Sequence, residues 1–272
     1  MPSHTPFPPI ALTIAGSDSG GGAGIQADLK TFSALGVYGA SVVTAITAQN
    51  TKGVFAVEDV SPKIVAAQID AVFSDLDVMA VKVGMVSRRE TIIAIAEGLR
   101  RFGRQAVVDP VMVATSGDPL LQPDAMAALT HELLPLAIIV TPNLPEAALL
   151  TGRPVAEDEA EMARQAELLM NSGARSVLVK GGHRRGSDAT DLFFDGARLV
   201  RFPANRVETR NDHGTGCTLS AAIAAGLAKG QSLAEAAGAA KAYLHEAISA
   251  ADRLKVGEGR GPVHHFHAWW PR

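Results

Sequence analysis

The feature that most restricts this chain is an alternation of two kinds of segment. Short runs rich in Val, Ile and Ala recur at Ile10–Ala15, Ser41–Ala48, Val78–Val83, Ala106–Val108, Ala137–Val140 and Ser176–Val179. Most are apolar throughout, as central parallel strands covered on both faces are. Between them lie helical patterns: Ile25, Leu29, Phe32 and Leu35 recur at helical spacing, as do Met162, Ala166 and Leu169. Thr218 to Leu227 is crowded with small residues, which suits a helix packed closely on a sheet. The rhythm predicts an α/β fold, a doubly wound, mostly parallel sheet with helices on both faces and right-handed crossovers. Asp191–Asp195 and Arg198–Phe202, joined through Gly196, predict a hairpin near the C-terminal edge.

No repeat, linker or low-complexity block breaks the pattern, so residues 1–272 are expected to form one domain, with 1–9 flexible. Hydrophobic residues are 47% of the chain and charged residues 19%, enough apolar material for a sizeable core. A net charge of −3 gives no basic footprint for nucleic acid, and pairs such as Arg88-Arg89 and Arg100-Arg101 are short and scattered. Cys217 is the one cysteine, so an internal disulfide is excluded and a reducing, cytoplasmic setting is expected. Met1–Pro9 holds four prolines and no apolar core, unlike a signal peptide. No stretch approaches the roughly 18 apolar residues of a membrane span.

In an open parallel sheet, ligands sit beyond the carboxyl ends of the strands. The segments there are Gly16 through Gly24, Gln49-Asn50, Gly84-Met85, Asp109-Pro110, Asn143 to Glu146, and Lys180-Gly181-Gly182-His183. After the hairpin, Asn211 through Cys217 opens the small-residue helix. Gly214 and Gly216 permit tight turning there, and the free N–H groups and dipole of the following helix make an anion site suited to a transferring phosphoryl group. An ordinary glycine-rich helix start is the competing reading.

The string Asp212-His213-Gly214-Thr215-Gly216-Cys217-Thr218 resembles the anion-hole motif of ribokinase-like enzymes. Cysteine at 217, where most of that superfamily carries Asp, looks like the bacterial hydroxymethylpyrimidine/phosphomethylpyrimidine kinases. The run from Ala15 through Asp18 to Gly24-Ile25-Gln26-Ala27-Asp28-Leu29-Lys30 is similar to the same family's N-terminal signature. Thr141 to Ala147 and the tail Gly261 to His267 also match its pattern, so the resemblance runs from about Leu12 to His267. Ser19-Gly20 departs from it, standing where many relatives have Pro-Ser.

The resemblance implies a ribokinase-like fold and ATP- and Mg²⁺-dependent phosphorylation of a small hydroxymethylpyrimidine and its monophosphate. It also implies a homodimer, with neither nucleic acid nor membrane as partner. Pyridoxal or pyridoxine kinase, on the same fold, is the nearest rival, and a non-catalytic pyrimidine-binding domain is another. Cys217 is the expected general base, its thiol acidified by the helix N-terminus, with Gly214, Thr215 and Gly216 forming the anion hole. A buried apolar Cys is the alternative.

Asn143 and Glu146 resemble the family's Asn-x-x-Glu element, which organises Mg²⁺ and phosphates, although Asn as N-cap with Glu three residues on is also a capping box. Asp109 is expected to share the metal or nucleotide task, and Lys180 to meet the ATP phosphates. Asp28 and Gln49 are the candidates for reading the aminopyrimidine, with Gly16, Met85 and Met112 as pocket walls. His264, His265 and His267 read as a packed tail or subunit contact rather than a metal site.

Overall fold

The structure, a computed structural model, describes residues 7–112, 120–122, 124–183, 186 and 188–271. Residues 1–6 of the segment expected to be flexible lie outside that range. The chain begins β1 (Ile10–Asp18), α1 (Gly24–Ala34), β2 (Tyr38–Asn50), β3 (Gly53–Asp59), α2 (Pro62–Phe73), β4 (Val78–Val83), α3 (Arg89–Arg101) and β5 (Ala106–Val108). It continues α4 (Ala125–Ala128), β6 (Ala137–Val140), α5 (Leu144–Thr151), α6 (Glu159–Asn171), β7 (Val177–Val179), β8 (Asp191–Phe194), β9 (Leu199–Phe202), α7 (Thr215–Ala228) and α8 (Leu233–Ser249).

The strands form one sheet in the order β3-β2-β1-β4-β5-β6-β7-β8-β9. β2, β1, β4, β5, β6 and β7 are mutually parallel, β3 pairs antiparallel with β2, and β8–β9 is the expected antiparallel hairpin. The chain winds outward from β1 to β2, then returns to the other side of β1 with β4, so strand order reverses at β1. That reversal opens a crevice beyond the strand ends.

Helices cover both faces, because alternate residues of each central strand need a cover on opposite sides. On one face Leu12, Ile14, Val81, Val83 and Val108 pack with side chains of α2, α3, α5 and α6. On the other, Ala11, Ala80, Val107, Ile139 and Leu178 meet α1, α7 and α8. The α7 helix is apolar nearly all round, as a helix sandwiched between sheet and α8 must be. A Cβ on Gly226 would lie 2.9 Å from the Ala236 Cβ, so a side chain there would force α7 and α8 apart. No helix among the described residues is long and apolar enough to cross a membrane.

Two expectations are corrected. β3 was not anticipated: Phe55 and Val57 are exposed on an edge strand, so its residues carry no burial pattern. The run Ser41–Ala48 is not covered on both faces, since Ile46 and Ala48 are exposed where β2 projects with β3 past the core.

Candidate active site

Two glycine-bearing loops meet at the crevice. Asp18, at the end of β1, is 3% exposed and accepts hydrogen bonds from the N–H groups of Gly20 (2.8 Å), Gly22 (3.0 Å) and Ala23 (2.9 Å). It therefore shapes the loop that leads into α1. His213 Nε2, in the loop before α7, lies 2.9 Å from Asp18 Oδ2 and 3.3 Å from Gln49 Nε2. Burial would raise the Asp18 pKa, but the His213 hydrogen bond and the backbone donors hold it below its ordinary 3.8.

Gly214 caps α7 with φ 82°, the left-handed region that favours glycine, and a Cβ there would overlap the Gly22 carbonyl oxygen. The first turn of α7 is thus pressed against the β1–α1 loop. A Cβ on Gly216 would lie 3.3 Å from both Asp109 Oδ2 and Lys180 Nζ, so the helix start also abuts a charged cluster. Cys217 is half-buried, and the backbone N–H of Gly24 at the start of α1 draws its pKa down. Two helix N-termini converge on one thiol.

That thiol is not acidified as the helix start alone suggests. Burial pushes the Cys217 pKa up to about 11; the Lys82 ammonium pulls it down, while the Asp28 and Asp109 carboxylates push it up. Desolvation of the thiolate outweighs the attraction of Lys82 and the Gly24 backbone donor.

Asp28 is also corrected. It lines no open wall: its side chain is 0% exposed, with Oδ2 2.7 Å from Lys82 Nζ and 2.6 Å from Thr13 Oγ1. It points inward because it lies on the sheet-facing side of α1, where β4 supplies a buried ammonium. Lys82 itself was missed. Its signal was a single Lys inside the apolar run Val78–Val83, which membership of a buried strand should have made conspicuous.

Farther along the crevice, the ends of β5, β6 and β7 assemble Asp109, Asn143, Glu146 and Lys180. Lys180 Nζ is 2.9 Å from Asp109 Oδ1 and 3.7 Å from Glu146 Oε2. Asp109 also accepts from Thr141 Oγ1 (3.1 Å) and Ser220 Oγ (3.4 Å), so both of its oxygens are engaged. Burial disfavours the Lys180 ammonium, yet Asp109 and Glu146 hold its pKa well above the ordinary lysine value. Burial raises Glu146 to about 7 against the attraction of Lys180. Asn143 and Glu146 do form the capping box: Glu146 N–H donates to Asn143 Oδ1 (2.9 Å), and Asn143 N–H donates to Glu146 Oε2 (2.7 Å).

Gln49 is half-buried beside a cleft of ≈390 Å³ that is lined also by Lys52, Arg210, His213 and Arg260. Cys217 and Asp28 are not among its lining residues. Gly16, Met85 and Met112 are not among its lining residues; Met85 is 7% and Met112 4% exposed, and the Met85 sulfur stands 2.5 Å from where a Gly16 Cβ would be. The His-rich tail is packed. His213 pairs with Pro262 in a short parallel bridge, and His265 Nε2 lies 3.1 Å from Thr218 Oγ1 in the first turn of α7. Burial lowers the His265 pKa to about 3, so its imidazole is neutral.

The mostly parallel sheet thus ends in a carboxylate–lysine cluster, against which the glycine-rich start of α7 is packed. Residues 18–264 match the model of the phosphomethylpyrimidine kinase family. The chain is 80% identical over 261 residues to a hydroxymethylpyrimidine/phosphomethylpyrimidine kinase of Rhizobium meliloti (strain 1021), covering 96% of this chain and 98% of that one. The crystal structure of phosphomethylpyrimidine kinase from Clostridium difficile 630 is 50% identical, with a TM-score of 0.78 over 88% of this chain and 99% of that one. Staphylococcus aureus pyridoxal kinase in complex with AMP-PCP and pyridoxal is 34% identical, with a TM-score of 0.88 over 97% and 95% of the two chains. The chain belongs to the phosphomethylpyrimidine kinase family.

Proposed function

We propose that this chain transfers the γ-phosphoryl group of ATP to the hydroxymethyl oxygen of 4-amino-5-hydroxymethyl-2-methylpyrimidine, and then phosphorylates the monophosphate. The observation that carries the reading is the position of Cys217, at the start of α7 and beside the Asp109–Lys180 cluster. In the transfer, the hydroxymethyl oxygen bonds to the γ-phosphorus as the bond to the ADP oxygen breaks, and Cys217 in its thiolate form takes the hydroxyl proton. Backbone N–H groups from Gly214 to Cys217 stabilise the charge gathering on the transferring group. Lys180 supplies a fixed positive charge for the ATP phosphates. Gln49 offers an amide to the pyrimidine's ring nitrogens and exocyclic amine, and the Gly16, Met85 and Met112 region its apolar wall.

Asp109 and Glu146 present hard oxygen donors on either side of one ammonium, and no group of three or more His, Cys, Asp or Glu is arranged to cage a metal among the described residues. Such a set fits Mg²⁺, which takes one or two carboxylates together with water and substrate phosphates. Glu146, through water, and Asp109 would hold it; when bound, it neutralises charge on the β- and γ-phosphate oxygens.

We further place the protein in the cytoplasm as a homodimer. Phe55 (69% exposed) and Val57 (44%), two residues apart on one face of β3, give it an apolar surface to bury against a second copy. A coupled ADP-release assay with hydroxymethylpyrimidines and pyridoxal tests the substrate. Turnover of the hydroxymethylpyrimidine and its monophosphate is expected; turnover of pyridoxal alone overturns the reading.

A further inference from the structure

Gln49 stands where the sheet gives it least support. The β1–β2 register runs to Asp18 opposite Thr47, and Gln49 lies two residues past that last pair. On its other side is the edge strand β3, whose register with β2 shifts between Ala48 and Gln49. A side chain that reads the edge of a heterocycle needs a fixed backbone, because every loose torsion must be frozen on binding.

Two hydroxyls make up for the short ladder. Ser19, in the β1–α1 loop, forms a reciprocal pair with the Gln49 backbone. The Gln49 N–H donates to Ser19 Oγ at 2.8 Å, and Ser19 Oγ donates to the Gln49 carbonyl oxygen at 2.8 Å. The hydroxyl thus pairs with β2 as one more strand residue would. Proline, which many relatives carry at this position, has no hydroxyl and could not do so. Thr47, two residues before Gln49 on the same face of β2 and 5% exposed, holds the amide. Its Oγ1 lies 2.8 Å from the Ser17 carbonyl oxygen and 3.0 Å from Gln49 Oε1, so one hydrogen is shared between β1 and the amide.

At the amide's other end, His213 Nε2 lies 3.3 Å from Gln49 Nε2. A carboxylate only accepts, so the His213 Nε2 hydrogen goes to Asp18, 2.9 Å away. The Gln49 amide hydrogens are left for a ligand, and one lone pair of Oε1 remains beside the one that Thr47 occupies. A donor and an acceptor side by side match the ring nitrogen and exocyclic amine of an aminopyrimidine.

We infer that Ser19 and Thr47 are positioning residues for pyrimidine recognition: Ser19 fixes the Gln49 backbone, and Thr47 fixes the direction of its amide. The inference rests on the assignment of Gln49 as the pyrimidine reader and deepens it. Neither Ser19 nor Thr47 is among the residues lining the cleft beside Gln49, so both act through that glutamine.

KM and kcat for the hydroxymethylpyrimidine are measured at saturating ATP with the full-length wild type, Ser19→Ala, Thr47→Val, Thr47→Ser and Gln49→Ala. Two double variants add Ser19→Ala or Thr47→Val to Gln49→Ala. Loss of either hydroxyl is expected to raise KM about five- to tenfold. The values of kcat and of KM for ATP are expected to stay within about twofold, and Thr47→Ser to restore KM for the pyrimidine. In Gln49→Ala the KM is already raised, and removing a hydroxyl as well is expected to add nothing, because a residue acting through Gln49 has lost its target.

A wild-type KM in either single hydroxyl variant overturns the inference. So does a rise that persists in the Gln49→Ala background, as general loosening of the loop gives. Ser19 is exposed, so Ser19→Ala decides alone should Thr47→Val not fold. A wild-type KM in Gln49→Ala sinks the assignment of Gln49 as reader and this inference with it, while phosphoryl transfer to the pyrimidine stands.

Discussion

Asp18 and His213 tie the loop after the first strand to the loop before α7, with Nε2 2.9 Å from Oδ2, between residues 195 positions apart. The carboxylate also holds three N–H groups of its own loop. Because its pKa lies below 3.8, it contributes stability above that pH and loses it as pH falls through the folded value. Asp18→Asn is therefore expected to cost on the order of 1–3 kcal/mol near neutrality and progressively less as the pH falls below 3.8 toward the lowered folded value. Urea unfolding near neutrality and below pH 3.8 checks this, and a deficit of equal size at both contradicts it.

Cys217→Ala is expected to lower kcat by about 10²-fold or more while leaving pyrimidine affinity within a factor of about three. In the proposed mechanism the sulfur contributes a proton acceptor, whereas binding is assigned to Gln49 and the apolar wall. Steady-state turnover and calorimetric titration with the pyrimidine separate the two effects.

Gly216→Ala tests the phosphate side without disturbing the fold. Its new methyl would stand 3.3 Å from Asp109 Oδ2 and Lys180 Nζ, a tight approach that a shift of a few tenths of an ångström relieves. The expected outcome is a melting temperature close to wild type with KM for ATP raised about tenfold and KM for the pyrimidine little changed. Gly214→Ala is expected to behave differently, losing stability by about 2 kcal/mol or more, because its methyl would meet the Gly22 backbone oxygen.

Glu146 gives the opposite pH sign to Asp18. Its pKa is raised to about 7, chiefly by burial, so the folded protein is most favoured while that carboxyl is protonated. The contribution is full below its ordinary 4.5 and is lost as pH rises toward 7. Glu146→Gln keeps an acceptor for the Asn143 N–H and removes the charge. The nucleotide-free variant is expected to gain on the order of 1 kcal/mol over wild type above pH 7 and to lose most of its activity. Thermal melts across pH, beside assays at saturating ATP, check both halves.

Much of the architecture is legible in the residues because its signals are local. The apolar runs that became β5 and β6 are continuous, those of β1 and β4 are broken by Thr13 and Lys82 alone, and Gly196 marks the turn of the β8–β9 hairpin. The glycines before Cys217 announce a helix start whatever surrounds it. What escaped is set by partners distant in sequence. Asp28 looks like a polar helix residue open to a ligand, and only the placement of Lys82, 54 residues on, turns it inward. The thiol's proton affinity follows from desolvation, which no spacing reveals. β3 depends on pairing with β2 rather than on burial. His213 and Pro262 meet through backbone alone, which leaves no side-chain signature.

That last junction bears on how the protein is made. The Gly261 carbonyl accepts from the His213 N–H at 3.0 Å, and His265 steadies the helix that begins the anion hole. During synthesis, every strand of the sheet emerges from the ribosome before this closing segment does. The nascent chain can thus assemble its scaffold early, while the loop before α7 waits for residues 261–265 to emerge.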